Sequence, residues 1–161
     1  MRGLKDKCVI VTGGGGGIGS ATCARLAAEG AKVAVFDMNI SAAESVAEAI
    51  RSKGESAQAF QCDITNRGQV DAAVAQVESS LGPVNGLVNN AGWDIFKPFL
   101  KTNPDEWEKL IAINLVGALH MLHAVLPGMV ERKQGRIINV ASDAARGGSS
   151  GEAVYSACKG G

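Results

Sequence analysis

The 161-residue sequence has few aromatic side chains and no excess of charge of either sign. Phe, Trp and Tyr make up 4% of it, and its 16 basic residues are balanced by 16 acidic ones. Without a basic block, nothing in the sequence suggests a nucleic-acid binding surface or an acidic tail. The four cysteines also lack CxxC spacing. The absence of that spacing argues against a zinc site or disulfide bonds and predicts reduced thiols.

Long hydrophobic runs are missing as well. The apolar run near the N-terminus stops at Gly13, which is too short for a signal peptide, and no segment is expected to span a membrane. We therefore expect a soluble, cytoplasmic protein with a single domain over residues 1–161. Glycine, in contrast, is abundant at 21 residues, which suits close helix–sheet packing and close approach of the backbone to a ligand.

Strand-like and helix-like segments alternate along the chain. Apolar runs predict strands at residues 7–12, 32–37, 56–61, 84–89 and 136–141. Helices are predicted at 18–29, from a capping box at Ser41 to near Gly54, at 66–81, from Asn103 to Pro127, and from Tyr155 onward, with 147–151 as a loop. This alternation predicts an α/β fold, in which a doubly wound parallel sheet is covered by helices on both faces.

Glycines connect the first strand to the first helix in the segment Thr12-Gly13-Gly14-Gly15-Gly16-Gly17-Ile18-Gly19. Such a turn lets the backbone approach a pyrophosphate at the helix N-terminus, although alone it could be a flexible turn. Asp37 ends the second strand, where a carboxylate can bind a ribose 2′-hydroxyl and repel a 2′-phosphate. The alternative is an Asp that merely begins a loop. Together they predict a site for NAD rather than NADP.

Tyr155 and Lys159 lie four residues apart on the last predicted helix and therefore share a face. A positive charge beside a phenol favours the phenolate, which is a usable general base. Tyr155 is the only tyrosine in the sequence. The spacing by itself is weak, because most such pairs are a solvated lysine and a half-buried tyrosine.

The combined pattern resembles the short-chain dehydrogenase/reductase family over the whole chain. The glycine loop matches Thr-Gly-x-x-x-Gly-x-Gly, and Asn89-Asn90-Ala91-Gly92 matches the motif after the fourth strand. The resemblance implies a three-layered Rossmann fold with strand order 3-2-1-4-5. It also implies a set of residues that bind NAD: Gly13, Gly16, Gly17, Ile18, Gly19, Asp37, Met38, Asp63, Ile64, Asn90, Ala91, Gly92, Tyr155 and Lys159.

The same resemblance implies a catalytic tetrad of Asn114, Ser142, Tyr155 and Lys159. Tyr155 would be the base, Ser142 would bind the substrate oxygen, Lys159 would also bind the nicotinamide ribose, and Asn114 would hold a water. Ser142 as a helix cap and Asn114 as a helix kink are the alternatives.

No metal site is expected. His120 and His123 are three apart on a helix without a third ligand nearby in sequence, which favours packing or surface roles. Cys158 is expected to be a small packing residue.

The substrate is suggested only by resemblance. Residues 89–99 and 142–161 are similar to the branch of the family that oxidises 2-hydroxycyclohexanecarboxyl-CoA to the 2-oxo thioester with NAD, in degradation of alicyclic and aromatic acids. The residues implied for the substrate cleft are Trp93, Asp94, Ser142, Asp143, Ala144 and Arg146. A 3-oxoacyl thioester reductase, a generic secondary-alcohol dehydrogenase and a non-catalytic nucleotide-binding scaffold remain alternatives.

The family also implies assembly and further chain. Its members form dimers and tetramers through the helices that carry Asn114 and Tyr155. They usually continue with more strands and a substrate lid, whereas this sequence stops at Gly161. We expect the sequence to be a truncated Rossmann domain that lacks the C-terminal strands.

Overall fold

A computed structural model describes residues 3–161 of the chain. Its strands are β1 (Cys8–Thr12), β2 (Lys32–Asp37), β3 (Ser56–Gln61), β4 (Val84–Asn89) and β5 (Arg136–Asn139). Its α-helices are α1 (Gly17–Ala28), α2 (Ile40–Arg51), α3 (Arg67–Leu81), α4 (Pro104–Ile111), α5 (Gly117–Glu131), α6 (Ala144–Gly147) and α7 (Ala153–Gly160). A 3₁₀ turn covers Phe99–Lys101, and a π-helical segment, Ala112–Val116, joins α4 to α5.

The five strands form one parallel sheet in the order β3-β2-β1-β4-β5, which confirms the predicted α/β architecture. The central strand β1 is buried along its whole length. Its alternate residues point to opposite faces, so Ile10 packs into the core on one face and Val9 and Val11 into the core on the other. The strand order reverses between β1 and β4, and ligands of such sheets bind at this switch point.

Three helix boundaries differ from the predicted ones. The cap of α2 is Asn39, whose side chain accepts the Ala42 N–H at 3.2 Å, so Ser41 lies inside the helix. Helix α5 passes through Pro127 and ends at Glu131, because its buried face continues to Met129 beyond the proline. Helix α7 begins at Ala153, one half-turn before Tyr155.

The end of β5 and the segment after it also differ in detail from the prediction. Strand β5 ends at Asn139 rather than at residue 141, although the Val140 N–H still donates to the Asn89 carbonyl at 2.9 Å. Residues 144–147 form the short helix α6, so the loop before α7 covers residues 148–152 rather than the predicted 147–151. Asn103 caps α4 as predicted, in a capping box with Glu106.

The helical stretch Pro104–Glu131 is long and apolar enough to cross a membrane, judged by its 28 residues and its composition alone. By this criterion, the prediction that no segment is long enough to span a membrane was wrong. Core helices of soluble proteins pass the same criterion. Here Met121, Val125 and Met129 pack into the core against the sheet.

Candidate cofactor and active site

A groove of about 820 Å³ lies at the carboxyl ends of β1, β2 and β4, where the strand order reverses. It brings together twelve of the residues predicted for the cofactor: Gly13, Gly16, Gly17, Ile18, Gly19, Asp37, Met38, Asp63, Ile64, Asn90, Ala91 and Gly92. Trp93, predicted for the substrate, lines it too. Five further lining residues were missed: Cys62, Thr65, Lys109, Ala112 and Ile113.

Two glycines fix the floor of the groove. Gly13 has a φ of +63°, and a Cβ there would lie 2.9 Å from the Ala91 Cα. A Cβ on Gly19 would overlap the Gly13 carbonyl oxygen and also lie 2.9 Å from the Asn90 Nδ2. Only glycine at these positions lets the start of α1 pack directly on the β1 and β4 loops.

The N-terminus of α1 is open to the groove. Its cap residue, Gly16, offers no side chain, and the first turn contains no acidic residue. The first backbone N–H groups of a helix have no partner within it, and the helix dipole places partial positive charge there. This end of the groove is therefore suited to the pyrophosphate of a dinucleotide.

Asp37 is held in a fixed orientation beside this anion site. Its Oδ2 accepts the Gly15 N–H and its Oδ1 accepts the Asn39 N–H, each at 3.0 Å. Each oxygen keeps a further lone pair for a hydroxyl donor. Ile18 and Met38 line the same groove and are 69% and 70% exposed, so they offer apolar surface for a flat base.

Asp63 is fixed in a comparable way farther along the groove. Its Oδ1 accepts the Thr65 N–H at 2.9 Å and the Thr65 hydroxyl at 2.7 Å. Its own N–H donates to the Gln69 Oε1 at 3.0 Å. Both bonds from Thr65 use Oδ1, so the other carboxylate oxygen, Oδ2, takes no part in this local contact.

The buried hydroxyl of Thr12 ties β1 to the loop after β4. Its Oγ1 accepts the N–H groups of Asn90 and Ala91, both at 3.0 Å. In the opposite direction, the Asn90 side-chain amide donates to the carbonyls of Thr12 at 2.9 Å and Gly13 at 3.2 Å. The Asn-Asn-Ala-Gly motif therefore belongs to the same rigid unit as the glycine loop.

Asn114 lies in the π segment and is 7% exposed. Its Nδ2 donates to the carbonyls of Trp93 at 2.7 Å and Leu110 at 3.0 Å, and its Oδ1 accepts the Trp93 N–H at 3.2 Å. The Leu110 carbonyl is the acceptor that the Asn114 backbone N–H would use in an α-helix, so the side chain competes for it where the helix widens. The asparagine thus joins the irregular helix to the segment after Gly92.

Asn114, Ser142, Tyr155 and Lys159 are not among the residues that line the groove, but Lys159 lies next to Gly92, which does line it. Its Nζ donates to the Val140 carbonyl at 3.0 Å and is 5.7 Å from the centre of the Tyr155 ring. A Cβ on Gly92 would lie 3.4 Å from this Nζ and 3.0 Å from the Asn114 Oδ1, so the three residues are direct neighbours. Burial lowers the pKa of Lys159.

Ser142 follows β5 and precedes α6, which packs against α7. The N-cap of α6 is Asp143, so Ser142 is not the helix cap that the alternative interpretation required, although its Oγ accepts the Ala144 N–H at 3.2 Å. A hydroxyl that accepts in this way can still donate to a substrate oxygen. Cys158, between Tyr155 and Lys159, is buried, and desolvation raises its pKa.

The residues predicted for the substrate separate into two groups. Trp93 carries the Lys109 ammonium 4.0 Å from its ring centre, and Asp94 lies in a small pocket that Tyr155 also lines. Ala144 is buried. Asp143 and Arg146 form a loose 3.9 Å ion pair with side chains 97% and 86% exposed, so they extend into solvent.

The two histidines contact protein groups. The Nδ1 of His120 is 2.9 Å from the Ile64 carbonyl oxygen, and the Nδ1 of His123 is 2.9 Å from an Arg67 guanidinium nitrogen. Within residues 3–161, no three His, Cys, Asp or Glu side chains are grouped as metal ligands. All four cysteines are free and buried.

Comparisons with known proteins agree with this geometry. Residues 7–161 match the family model for short chain dehydrogenases. The chain is 37% identical over 157 residues to 2-(S)-hydroxypropyl-CoM dehydrogenase 3 of Xanthobacter autotrophicus, covering 98% of this chain and 62% of that protein.

Two solved structures are also similar. An NAD⁺-bound xylitol dehydrogenase superposes with a TM-score of 0.95 at 38% identity, covering 99% of this chain and 62% of that one. A metagenomic short-chain oxidoreductase in complex with NADP superposes with a TM-score of 0.92 at 33% identity, covering 97% and 71%. The chain thus spans about three fifths of the length of several relatives. It belongs to the short-chain dehydrogenase/reductase family, oxidoreductases that act on alcohols and ketones with a nicotinamide cofactor.

Proposed function

We propose that this protein oxidises a secondary alcohol to a ketone with NAD, and that Tyr155 is the general base. One observation carries the proposal: the groove has an anion site and Asp37 at one end and Gly92 at the other, and Asn114 and Lys159 adjoin Gly92. This arrangement matches the two ends of a nicotinamide dinucleotide. Residues 1–161 would supply the NAD-binding domain.

Each side chain of the tetrad has a role that its contacts support. Tyr155 accepts the proton of the substrate hydroxyl as general base, and the Lys159 ammonium lies 5.7 Å from the centre of its ring. Ser142 donates a hydrogen bond to the substrate oxygen and holds it beside Tyr155. NAD, when bound, supplies the acceptor for the hydride that leaves the alcohol carbon.

Lys159 and Asn114 would also orient the cofactor and the proton path. Lys159 reaches the end of the groove where the nicotinamide ribose would lie, and its remaining N–H groups can donate there. Both N–H groups of the Asn114 amide are used by backbone carbonyls, so a water at this site would have to donate to Oδ1 or to a π-segment carbonyl.

NAD is proposed over NADP because of Asp37. The carboxylate is already oriented by two backbone N–H groups and lies where a 2′-hydroxyl would donate to it. A 2′-phosphate would bring negative charge to the same place. No Lys or Arg lies in the glycine loop or directly after Asp37 to bind such a phosphate.

The substrate we propose is 2-hydroxycyclohexanecarboxyl-CoA, converted to the 2-oxo thioester. The resemblance of residues 89–99 and 142–161 supports it, and Trp93 with Lys109 offers an apolar and cationic surface beside the groove. Good turnover of 3-hydroxyacyl thioesters, with none of the ring substrate, would favour a 3-oxoacyl thioester reductase instead. Assays with both thioesters in the full-length protein distinguish the two.

Tyr155→Phe tests the chemistry, because it removes only the phenolic oxygen. We expect kcat to fall by about 10²- to 10⁴-fold, the usual contribution of a general base, while NAD affinity changes little. Cys158→Ala is a matched control on the same helix, since the thiol is buried and outside the groove; it should keep its rate. If the Phe variant keeps its rate too, or if the unmodified protein binds NAD and turns over no alcohol, a nucleotide-binding scaffold is the better description.

We also infer a cytoplasmic homo-oligomer, a dimer or tetramer. The helical stretch that holds Asn114 exposes the apolar side chains Ile111, Leu119, Leu126 and Val130. Exposed apolar side chains on one such stretch are typical of a subunit interface. Light scattering of the full-length protein measures the subunit number, and a monomer at micromolar concentration would contradict this inference.

A further inference from the structure

We propose that Lys109 is the phosphate-binding side chain of the cofactor groove, and that Trp93 holds its ammonium group in place until a phosphorylated ligand enters. Two such ligands exist under the function proposed above, on which this proposal rests: the nicotinamide dinucleotide and the CoA thioester. Both carry a pyrophosphate group, so the chemistry that Lys109 recognises is the same for both. Lys109 does not belong to the tetrad, and its role is binding rather than proton transfer.

Lys109 brings positive charge to a groove whose other charged side chains are acidic. Among the residues of the 3–161 range that line the groove, Lys109 is the only Lys, Arg or His, whereas Asp37 and Asp63 both contribute carboxylates. A phosphorylated ligand adds further negative charge to the same space. The N-terminus of α1 offsets that charge at one end, but the effect of a helix dipole falls off within the first turn. Elsewhere in the groove, the Lys109 ammonium is the side-chain charge available to a phosphate.

No acid of the described chain neutralises Lys109. Within residues 3–161, this exposed lysine forms no ion pair with an Asp or Glu. Glu106, one turn earlier on α4, is paired with the Lys97 ammonium at 2.7 Å and also accepts the Asn103 N–H in the capping box. The charge of Lys109 therefore remains available to an anionic group of a ligand.

The ammonium nevertheless has a defined position over the Trp93 ring. The Lys109 Nζ lies 4.0 Å from the ring centre, where the negative face of an indole attracts a cation. The Trp93 backbone is held in turn by Asn114, which donates to its carbonyl at 2.7 Å and accepts its N–H at 3.2 Å. A cation–π contact is weak at an exposed site. A phosphate oxygen offers a charge as well as a hydrogen-bond acceptor, so it is the stronger partner for the ammonium.

A lysine side chain can exchange these partners without movement of the backbone. Its four-carbon stem is flexible, and its ammonium has three N–H donors. Helix α4 itself is fixed at its start by the capping box of Asn103 and Glu106. Lys109 can therefore turn from the indole to the ligand while the wall of the groove keeps its shape.

Calorimetry of the full-length protein tests this assignment with Lys109→Met, Lys109→Arg and a matched control, Lys101→Met. Methionine keeps an unbranched side chain without the charge, and arginine keeps the charge. Lys101 is an exposed lysine of the 3₁₀ turn and does not line the groove. Lys101→Met removes one positive charge nearby and should bind ligands as the unmodified protein does. NAD⁺ is titrated into the free protein, and CoA into protein saturated with NAD⁺.

We expect Lys109→Met to bind at least one of the two probes about tenfold more weakly, the lower end of the range for a hydrogen bond to a charged group. Lys109→Arg should keep most of the affinity. Added salt should weaken binding to the unmodified protein more steeply than binding to Lys109→Met, because exposed charges are screened. Weaker NAD⁺ binding assigns Lys109 to a phosphate of the dinucleotide. Unchanged NAD⁺ binding with weaker CoA binding assigns it to the thioester.

Three results would overturn the proposal: normal binding of both probes by Lys109→Met, an equal loss in Lys101→Met, or a loss in Lys109→Arg as large as in Lys109→Met. These measurements need no turnover, so they are independent of the proposed chemistry. A fully active Tyr155→Phe variant would remove Tyr155 as the base and leave the Lys109 result unchanged. If the unmodified protein binds no CoA, the thioester substrate is refuted, and the NAD⁺ titrations alone decide the role of Lys109.

Discussion

Replacing Asp37 by Asn is the sharpest test of the cofactor end of the groove. The change keeps the size of the side chain and removes its charge. It also leaves one of the Gly15 and Asn39 N–H groups without a good acceptor, because an amide has one oxygen. We expect weaker NAD binding and a much smaller preference over NADP.

The magnitude follows from the two interactions at this carboxylate. A hydrogen bond to a charged group contributes about 1.5–3 kcal/mol, and the amide oxygen retains part of it, so NAD should bind roughly tenfold more weakly. A phosphate charge 4 Å from a carboxylate costs about 4 kcal/mol at an effective dielectric of 20, or about 10³-fold in affinity. Screening by salt at this partly exposed position reduces that to about 10²-fold.

Titration calorimetry of NAD⁺ and NADP⁺ in the full-length protein measures both effects. Asp63→Asn is the matched control, since it removes the same charge from the same groove at a carboxylate tied to Thr65. It should weaken both cofactors alike and leave their ratio unchanged. If the unmodified protein binds the two cofactors equally, or if Asp37→Asn leaves their ratio unchanged, the reasoning from Asp37 is refuted.

Two further predictions concern the floor and the far end of the groove. Gly19→Ala should abolish NAD binding, because the new methyl group overlaps the Gly13 carbonyl oxygen. Calorimetry should show no binding of NAD, and thermal unfolding should show a lower Tm. Normal affinity for NAD would contradict the packing described here. Lys159→Met should abolish turnover while changing stability in a pH-dependent way. Burial lowers the pKa of Lys159 in the folded protein, so the charge of Lys159 opposes folding at pH values below that lowered pKa. This cost disappears as the pH rises past the pKa of a lysine in the unfolded chain, about 10.4, because Lys159 is then neutral in both states. The Tm of the Met variant relative to the unmodified protein should therefore be higher at pH 7 than at pH 10.5, and a difference that is constant or grows with pH would contradict it.

The sheet was predictable from sequence because its strands are short apolar runs with polar or glycine residues at both ends. Buried parallel strands must be apolar on both faces, so residues such as Val9, Ile10 and Val11 leave little choice. The groove residues followed from motif spacing, since they belong to loops at the carboxyl ends of those strands. Lys109 and Ile113 were missed, although their four-residue spacing on one helix could have indicated a shared face.

Other features depended on contacts that spacing does not contain. Asn39 and Ser41 are both residue types that cap helices well. Asn39 is the cap of α2 in the structure, and its own N–H also donates to Asp37, a contact that sequence spacing does not reveal. The π segment arises where the Asn114 amide takes a backbone acceptor and reaches Trp93 on another segment.

The hydroxyl of Thr12 determines which parts of the groove can fluctuate. Its buried oxygen atom accepts both the Asn90 and Ala91 N–H groups. These two hydrogen bonds hold the end of β1 and the loop after β4 in a fixed position relative to each other. The exposed Ile18 and Met38 side chains at the edge of the groove can rotate on the nanosecond scale. A ligand that enters the groove therefore meets side chains that adapt quickly above a junction of β1 and β4 that keeps its shape.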